Sequence, residues 1–162
     1  MFAFQRLLAA LRIPDFRAPR DPFSLAVRRL ERGDAQGAVT EFTQLLVASR
    51  ERDERARIVN KRGVAFVRLG RRAEALADFT LALDLVPRFA PALANIGNLL
   101  LEDGVLDDAI VHYEAAVRAD ESYAVAHLNL AVAYRKLGRR GDSVRELRLA
   151  NRLEGRSLFR RT

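Results

Sequence analysis

The sequence predicts an all-α protein that is built as an array of four helical hairpins. The stretch Leu-Gly-Arg-Arg occurs at residues 69–72 and again at residues 137–140, and each copy is followed by small, acidic, small and aliphatic residues in that order. Related copies place the turn glycines at intervals of 37, 34 and 34 residues, at Gly33, Gly70, Gly104 and Gly138. A fixed period near 34 residues is typical of stacked helical repeats. No segment shows the sustained alternation of apolar and polar residues that indicates a strand.

Each unit is expected to contain two antiparallel helices joined at the turn glycine. Glycine ends the first helix because it adopts a left-handed backbone conformation at little cost. In the second helix apolar residues recur three and four positions apart, as they do at Ala75, Phe79 and Ala82. Small residues also recur at fixed positions and allow the paired helices to approach closely; they are Gly63, Gly97, Ala131, Ala75, Ala109 and Ser143.

We place the four units at residues 21–52, 53–88, 89–122 and 123–154. Residues 1–20 precede the array as an amphipathic helix and a proline-containing linker, and residues 155–162 follow it as a basic tail. A unit at the end of such an array needs a polar outer face, because no neighbour covers it. The last predicted helix meets this need with Arg145, Arg148 and Arg152.

These repeated positions resemble the pattern of the tetratricopeptide repeat family. The second unit carries the pattern most fully, with Gly63, Phe66, Leu69, Gly70, Ala75, Phe79, Ala82 and Pro87 in register. The third unit matches at Gly97, Gly104, Ala109, Tyr113 and Ala116, but it has Glu121 where the family prefers proline. The resemblance extends over roughly residues 19–154. It implies a right-handed superhelix in which first helices line a concave groove and second helices cover the convex side.

The N-terminal segment has an apolar face formed by Phe4, Leu7, Leu8 and Leu11. Such a face is expected to be covered, and three coverings remain open: the first unit of the array, another protein, or a membrane surface. The membrane surface is favoured least, since only Arg6 and Arg12 decorate the polar side. The segment lacks the charged start and the cleavage site of a signal peptide. No apolar run approaches the roughly 18 residues of a membrane span, so we expect a cytoplasmic location.

The net charge of +7 raises the question of nucleic-acid binding. A surface that follows a phosphate backbone should be basic along its length. Residues 89–122 instead carry seven acidic side chains and one basic side chain, while the positive charge lies in the terminal segments and in the flanking units. This distribution argues against nucleic acid as the partner.

The sequence offers no residues for catalysis. It has no cysteine, no glycine-rich phosphate loop and no cluster with the spacing of metal ligands. His127 lies where the family pattern packs a large side chain at the start of a first helix, so a structural role is expected, and His112 is expected at the surface. We therefore expect a protein that is not an enzyme and that uses no cofactor or metal.

The resemblance directs attention to the polar residues of the first helices. Lys61, Asn95 and Asn129 occupy equivalent places in successive units. Side-chain amides can donate to and accept from the backbone of an extended peptide, but they can equally bond their own turn or a neighbouring helix. The predicted partner-binding groove comprises Arg57, Asn60, Lys61, Asn95, Asn98, Asn129 and Arg135.

The expected function is that of a non-enzymatic adaptor or assembly factor, which binds a protein or peptide segment of apolar and acidic character in this groove. The alternative is a structural or accessory subunit of a larger complex, docked through the N-terminal helix and the basic tail. Some members of the family clamp the terminal carboxylate of chaperone tails with cations on successive first helices. The matching positions here supply a single cation, Lys61, so we do not expect that mode.

Overall fold

The computed structural model describes residues 21–159, with side chains through Gly155, and the regular structure in this range is entirely helical. The helices are α1 Pro22–Glu31, α2 Ala35–Ala48, α3 Arg52–Arg68, α4 Arg72–Leu85, α5 Ala90–Glu102, α6 Leu106–Ala119, α7 Ala124–Lys136 and α8 Arg140–Phe159. The predicted N-terminal helix with its apolar face lies outside the described residues.

The helices pair in order along the chain, α1 with α2, α3 with α4, α5 with α6 and α7 with α8. Each first helix also contacts the first helix of the next unit, and each second helix packs against the first helix that follows it. Within residues 21–159 no second helix contacts another second helix. First and second helices therefore form separate layers, and the predicted all-α array of four hairpins is confirmed.

Each hairpin turns at the glycine that the repeat predicts. Gly33, Gly70, Gly104 and Gly138 have φ values of 94°, 70°, 77° and 75°. This left-handed region favours glycine because a Cβ atom would approach the backbone too closely there. In the second hairpin the amide of Gly70 donates to the Val67 carbonyl, so one of the unpaired carbonyls at the end of α3 is satisfied.

Within the second and third hairpins, an aromatic ring of the second helix lies on a glycine of the first. A Cβ atom added to Gly63 would lie 2.6 Å from Phe79 Cε1, and one added to Gly97 would lie 2.6 Å from Tyr113 Cε1. Both rings are fully buried. The small residues that the sequence places in the first helices therefore make room for an aromatic ring.

We expect the substitution Gly97→Ala to destabilise the array, although alanine is the better helix former. The new methyl group would push the Tyr113 ring from its place, and overpacking of this kind costs about 1–3 kcal/mol. The matched control is Gly141→Ala, at a glycine in the first turn of α8 with nothing within 4 Å, where alanine should stabilise by at most about 1 kcal/mol. Urea titrations followed by circular dichroism compare the two, and equal effects would contradict the packing of this hairpin.

Two arginines of the second unit fasten it to both neighbours. Arg68 donates a hydrogen bond to the Leu30 carbonyl of α1, and Arg72 donates one to the Leu99 carbonyl of α5. Each of these carbonyls also accepts a backbone amide at the end of its helix, from Gly33 and from Asp103. Each guanidinium therefore adds a second donor to a carbonyl near a helix end and joins two units at the same time.

The last helix continues through Gly155 to Phe159 and so extends beyond residue 154, where we predicted the array to end. A single glycine costs a helix only about 1 kcal/mol relative to alanine, which is not enough to end α8. No helix of the described chain is both long and apolar enough to cross a membrane.

Candidate functional site

A groove of about 420 Å³ crosses the layer of first helices. Its walls come from α1, α3 and α5 and from the residue that precedes each of α5 and α7. The lining residues are Phe23, Arg57, Asn60, Lys61, Val64, Phe89, Pro91, Asn95 and Tyr123. All four units therefore contribute to one cavity, which we call the groove.

The helical period brings the polar groove residues to one face of each helix. In α3, Arg57, Lys61 and Val64 are spaced four and three residues apart. In α5, Pro91 and Asn95 are spaced four residues apart. Residues three and four positions apart lie above one another on a helix surface, so each helix presents a single stripe to the groove.

The walls of the groove carry two cations and no carboxylate, and the charge of Arg57 also acts on Asp21, which precedes α1. Arg57 and Lys61 line the groove, and no aspartate or glutamate does. Neither cation forms an ion pair with a carboxylate within residues 21–155. Arg57 Cζ lies 4.9 Å from the centroid of the Phe23 ring, a cation–π contact that holds the guanidinium over an apolar wall. The groove is therefore a basic surface beside aromatic side chains.

A tyrosine that precedes α7 also lines the groove. Tyr123 is half-buried, and its burial, together with the nearby Asp120 carboxylate, raises the pKa of its hydroxyl above the ordinary value. The phenol is consequently neutral at physiological pH. A neutral hydroxyl can both donate and accept a hydrogen bond, so it suits a peptide backbone or a polar side chain.

The groove asparagines bond each other across neighbouring first helices. Asn95 Nδ2 donates to Asn60 Oδ1 at 2.9 Å, which joins α5 to α3. Asn129 Nδ2 donates to Asn98 Oδ1 at 2.9 Å, which joins α7 to α5. The amides therefore bond a neighbouring helix, as one of the two interpretations of the sequence expects. Each of the four side chains uses one of its two polar atoms for this bond. The Oδ1 atoms of Asn95 and Asn129 accept no hydrogen bond from the described residues.

The other predicted residues lie away from the groove. Asn98 lines an adjacent cavity of about 140 Å³, together with Val64 and Asn95. Asn129 lies one unit further along the array, and Arg135 is exposed in the last turn of α7. The structure thus brings Arg57, Asn60, Lys61 and Asn95 together and leaves Asn98, Asn129 and Arg135 outside the groove.

The two asparagine pairs allow a matched test of their structural contribution. Asn95→Ala would leave the Oδ1 atom of the buried Asn60 without a donor, so it should lower the unfolding free energy by about 1–3 kcal/mol. Asn129→Ala should cost less, because Asn98 Oδ1 keeps the hydroxyl of Tyr113 as a donor at 2.8 Å. Urea titration of both variants measures the difference, and a larger cost for Asn129→Ala would contradict this assignment of the bonds.

The histidines lie apart from the groove. His127 is buried, with Nδ1 at 2.8 Å from Glu146 Oε2 and Nε2 at 3.3 Å from the Glu121 carbonyl oxygen, so it serves the packing of the fourth unit. His112 Nδ1 lies 2.9 Å from the Asp108 carbonyl oxygen of its own helix. In the described part of the chain, no three histidine or carboxylate side chains gather in a way that could hold a metal ion.

Sequence reasoning missed two aromatic residues of the groove. Phe89 and Tyr123 each stand immediately before a first helix and are 34 residues apart. A comparison of the units at this period would have paired them.

Models of known families match most of the helical array. One described as tetratricopeptide repeat matches residues 23–91, and another described as TPR repeat matches residues 97–138. Of the described residues that line the groove, Asn95 lies between these two ranges and the others lie within them.

Solved structures share the fold. A crystal structure of MamA is 20% identical with a TM-score of 0.65, and the match covers 97% of this chain and 88% of that one. BtubC from P. vanneervenii is 21% identical with a TM-score of 0.67, over 96% of this chain and 72% of that one. The second TPR of Spaghetti (RPAP3), solved with the HSP90 peptide SRMEEVD, is 21% identical with a TM-score of 0.56, over 60% and 91%.

Proposed function

Because the chain belongs to the tetratricopeptide repeat family, we propose that it is an adaptor or assembly factor that binds a segment of a partner protein in the groove. The observation that carries the proposal is a cavity to which all four units contribute, with two cations and several aromatic side chains in its walls. Proteins of this family are typically non-enzymatic interaction modules, and binding of this kind requires no catalytic residue.

The charge of the groove sets the chemistry of the partner segment. No carboxylate lines the cavity beside Arg57 and Lys61, so an acidic side chain of the partner would pair with these cations. Both cations stand on α3 at a spacing of four residues, and Lys61 is half-buried. One or two acidic residues of the segment should therefore lie over the middle of the groove.

The apolar walls set a second requirement. Phe23, Val64 and Phe89 are half-buried side chains that leave part of their surface open to the groove. Aromatic and aliphatic walls around a few polar groups are typical of sites that bury an anchoring side chain. The partner segment should therefore carry an apolar residue close to its acidic one.

The amide atoms that the asparagine pairs do not use can form hydrogen bonds with the backbone of such a segment. Asn95 Oδ1 can accept from a backbone N–H group, and Asn60 Nδ2 can donate to a backbone carbonyl. The peptide in the Spaghetti (RPAP3) structure, SRMEEVD, has three acidic residues among apolar ones. A segment of comparable character, held without the paired cations of the chaperone-tail clamp, is what the groove fits.

Affinity capture from the native host tests the proposal with a charge reversal in the groove. We expect Lys61→Glu to reduce the recovery of the bound partner at least about tenfold, because a close charge pair becomes a repulsive one. The matched control is Arg118→Glu, an equal charge change at an exposed residue of α6 outside the groove. Partners are identified by mass spectrometry, and the folding of each variant is checked by circular dichroism.

The alternative of a docked subunit predicts a different pattern of losses. Removal of residues 1–13 should then abolish capture, while Lys61→Glu should leave it unchanged. Equal recovery with wild type, Lys61→Glu and Arg118→Glu would contradict groove binding.

A further inference from the structure

The outer face of the fourth unit exposes apolar side chains at positions that other units bury. Leu147 of α8 is 42% exposed, whereas Phe79 and Tyr113, at the same repeat position, are at most 1% exposed. Leu128 of α7 is 40% exposed, whereas Ala94, at the same position of the third unit, is 1% exposed. The difference lies in what covers these positions and not in their place within the hairpin.

In the third unit, the next first helix covers these positions. Ala94 and Tyr113 belong to one core cluster with Ala126 and Leu130 of α7. In the described part of the chain no further helix stacks on α7 and α8 in this way. We call the uncovered surface formed by Leu128, Leu147, Arg148 and Asn151 the end face.

The polar edge of the end face has the opposite charge to its equivalent inside the array. Glu114, the counterpart of Arg148, accepts a hydrogen bond from the Tyr134 hydroxyl of α7 at 3.0 Å. Arg148 and the neighbouring Arg152 are exposed and form no ion pair with a carboxylate of residues 21–155. A helix that packs on the end face as α7 packs on the third unit would therefore contact Arg148 at the position where α7 contacts Glu114.

The charges argue against a second copy of this chain as the cover. Two end faces packed together would bring Arg148 and Arg152 against the same residues of the other copy. Packing on the first unit, at the opposite end, would bring them towards a surface cavity with three arginines and two carboxylates, Asp34 and Glu41. Arg29 already pairs with both carboxylates, so Arg28 and Arg32 give this cavity an excess of positive charge. Like charges placed together in this way are unfavourable in both arrangements.

The N-terminal segment of the chain is also a poor cover. Its residues 1–14 contain Arg6 and Arg12 and no carboxylate side chain. It would add positive charge beside Arg148.

We infer that the end face binds a helix of a partner protein that carries an apolar stripe and a carboxylate opposite Arg148. The apolar stripe would cover Leu128 and Leu147, as α7 covers Ala94 and Tyr113. The partner's carboxylate would contact Arg148 at the position where the Tyr134 hydroxyl contacts Glu114 in the third unit. A carboxylate suits this position because it forms a charge-assisted hydrogen bond with an arginine. This second surface is independent of the groove, so the chain joins two segments at once.

A stapled peptide that copies α7 serves as the probe. It has the sequence of residues 123–136 with the change Tyr134→Glu, a side-chain staple to hold the helix, since a 14-residue peptide alone is marginally helical, and a fluorescent label. A second peptide has Tyr134→Lys instead. Fluorescence anisotropy gives the Kd of each peptide for the full chain and for its Arg148→Glu variant.

We expect the glutamate peptide to bind wild type at least about tenfold more tightly than the lysine peptide, and this preference to reverse with Arg148→Glu. Lys61→Glu should leave both values unchanged, which separates this surface from the groove. No binding of the glutamate peptide up to about 1 mM, a binding energy near 4 kcal/mol, would overturn the inference. So would equal affinity for the two peptides, or a dimer of the wild-type chain in sedimentation experiments that Leu147→Glu dissociates.

Discussion

Replacing Phe79 with alanine will lower the unfolding free energy of the array by about 3–5 kcal/mol. The side chain is 1% exposed, and its ring fills the space that the missing Cβ atom of Gly63 leaves open. Alanine cannot reach across this space, so a cavity would remain between α3 and α4. Urea titration followed by circular dichroism measures the loss.

The same repeat position in the fourth unit provides the control. Leu147→Ala removes a side chain that is 42% exposed, so it should cost well under half as much as Phe79→Ala. In a stacked array each unit contacts only its neighbours, so the Phe79 variant should also broaden the transition as the second unit uncouples. A cost below about 1 kcal/mol for Phe79→Ala would contradict the described packing.

Breaking the ion pair between Arg62 and Asp78 will cost about 3 kcal/mol. Arg62 Nη2 lies 2.8 Å from Asp78 Oδ1, and Arg62 Nε lies 2.8 Å from Asp78 Oδ2, so the pair is bidentate. Its side chains are 16% and 7% exposed, and the bonds to Asp78 raise the pKa of Arg62. Asp78→Ala would leave the guanidinium between α3 and α4 without its partner. The cost stays at the low end of the range for buried pairs because Arg62 keeps some contact with water.

Replacing both partners separates the loss of the pair from the loss of packing. The double variant Arg62→Met with Asp78→Leu has no unpaired charge, so it should recover most of the stability that Asp78→Ala loses. A double variant less stable than Asp78→Ala would show that Arg62 stabilises α3 through other contacts, such as its bond to Thr43 Oγ1 at 3.2 Å.

The fold could be predicted from the sequence because its signals are local and repeated. A turn glycine, a small residue five positions later and a bulky residue four further on recur in each unit, as at Gly70, Ala75 and Phe79. Each copy specifies one hairpin, and the hairpins can bury their faces only on one another. The positive φ values at the four turn glycines follow directly from this pattern.

Polar contacts between helices could not be predicted in this way. Asn60 and Asn95 are 35 residues apart, and they stand one position out of register with each other in the repeat. Arg62 and Asp78 have no counterpart in the other units to mark them as a pair. Such contacts depend on how one helix packs against the next. This packing leaves no repeating pattern in the sequence from which the contacts could be predicted. Of the residues predicted for partner binding, Arg57, Asn60, Lys61 and Asn95 line one cavity of the structure. Asn98, Asn129 and Arg135 do not line it.

Photo-crosslinking from inside the groove tests the central proposal most directly. A photoreactive amino acid is placed at Val64, which lines the groove, or at Leu81, which is exposed on α4 outside it, and the full chain is irradiated in the native host. We predict a cross-link at position 64 to a partner segment that contains an acidic residue near an apolar one, and its loss with Lys61→Glu. Cross-links that form from position 81 and not from position 64 would contradict binding in the groove.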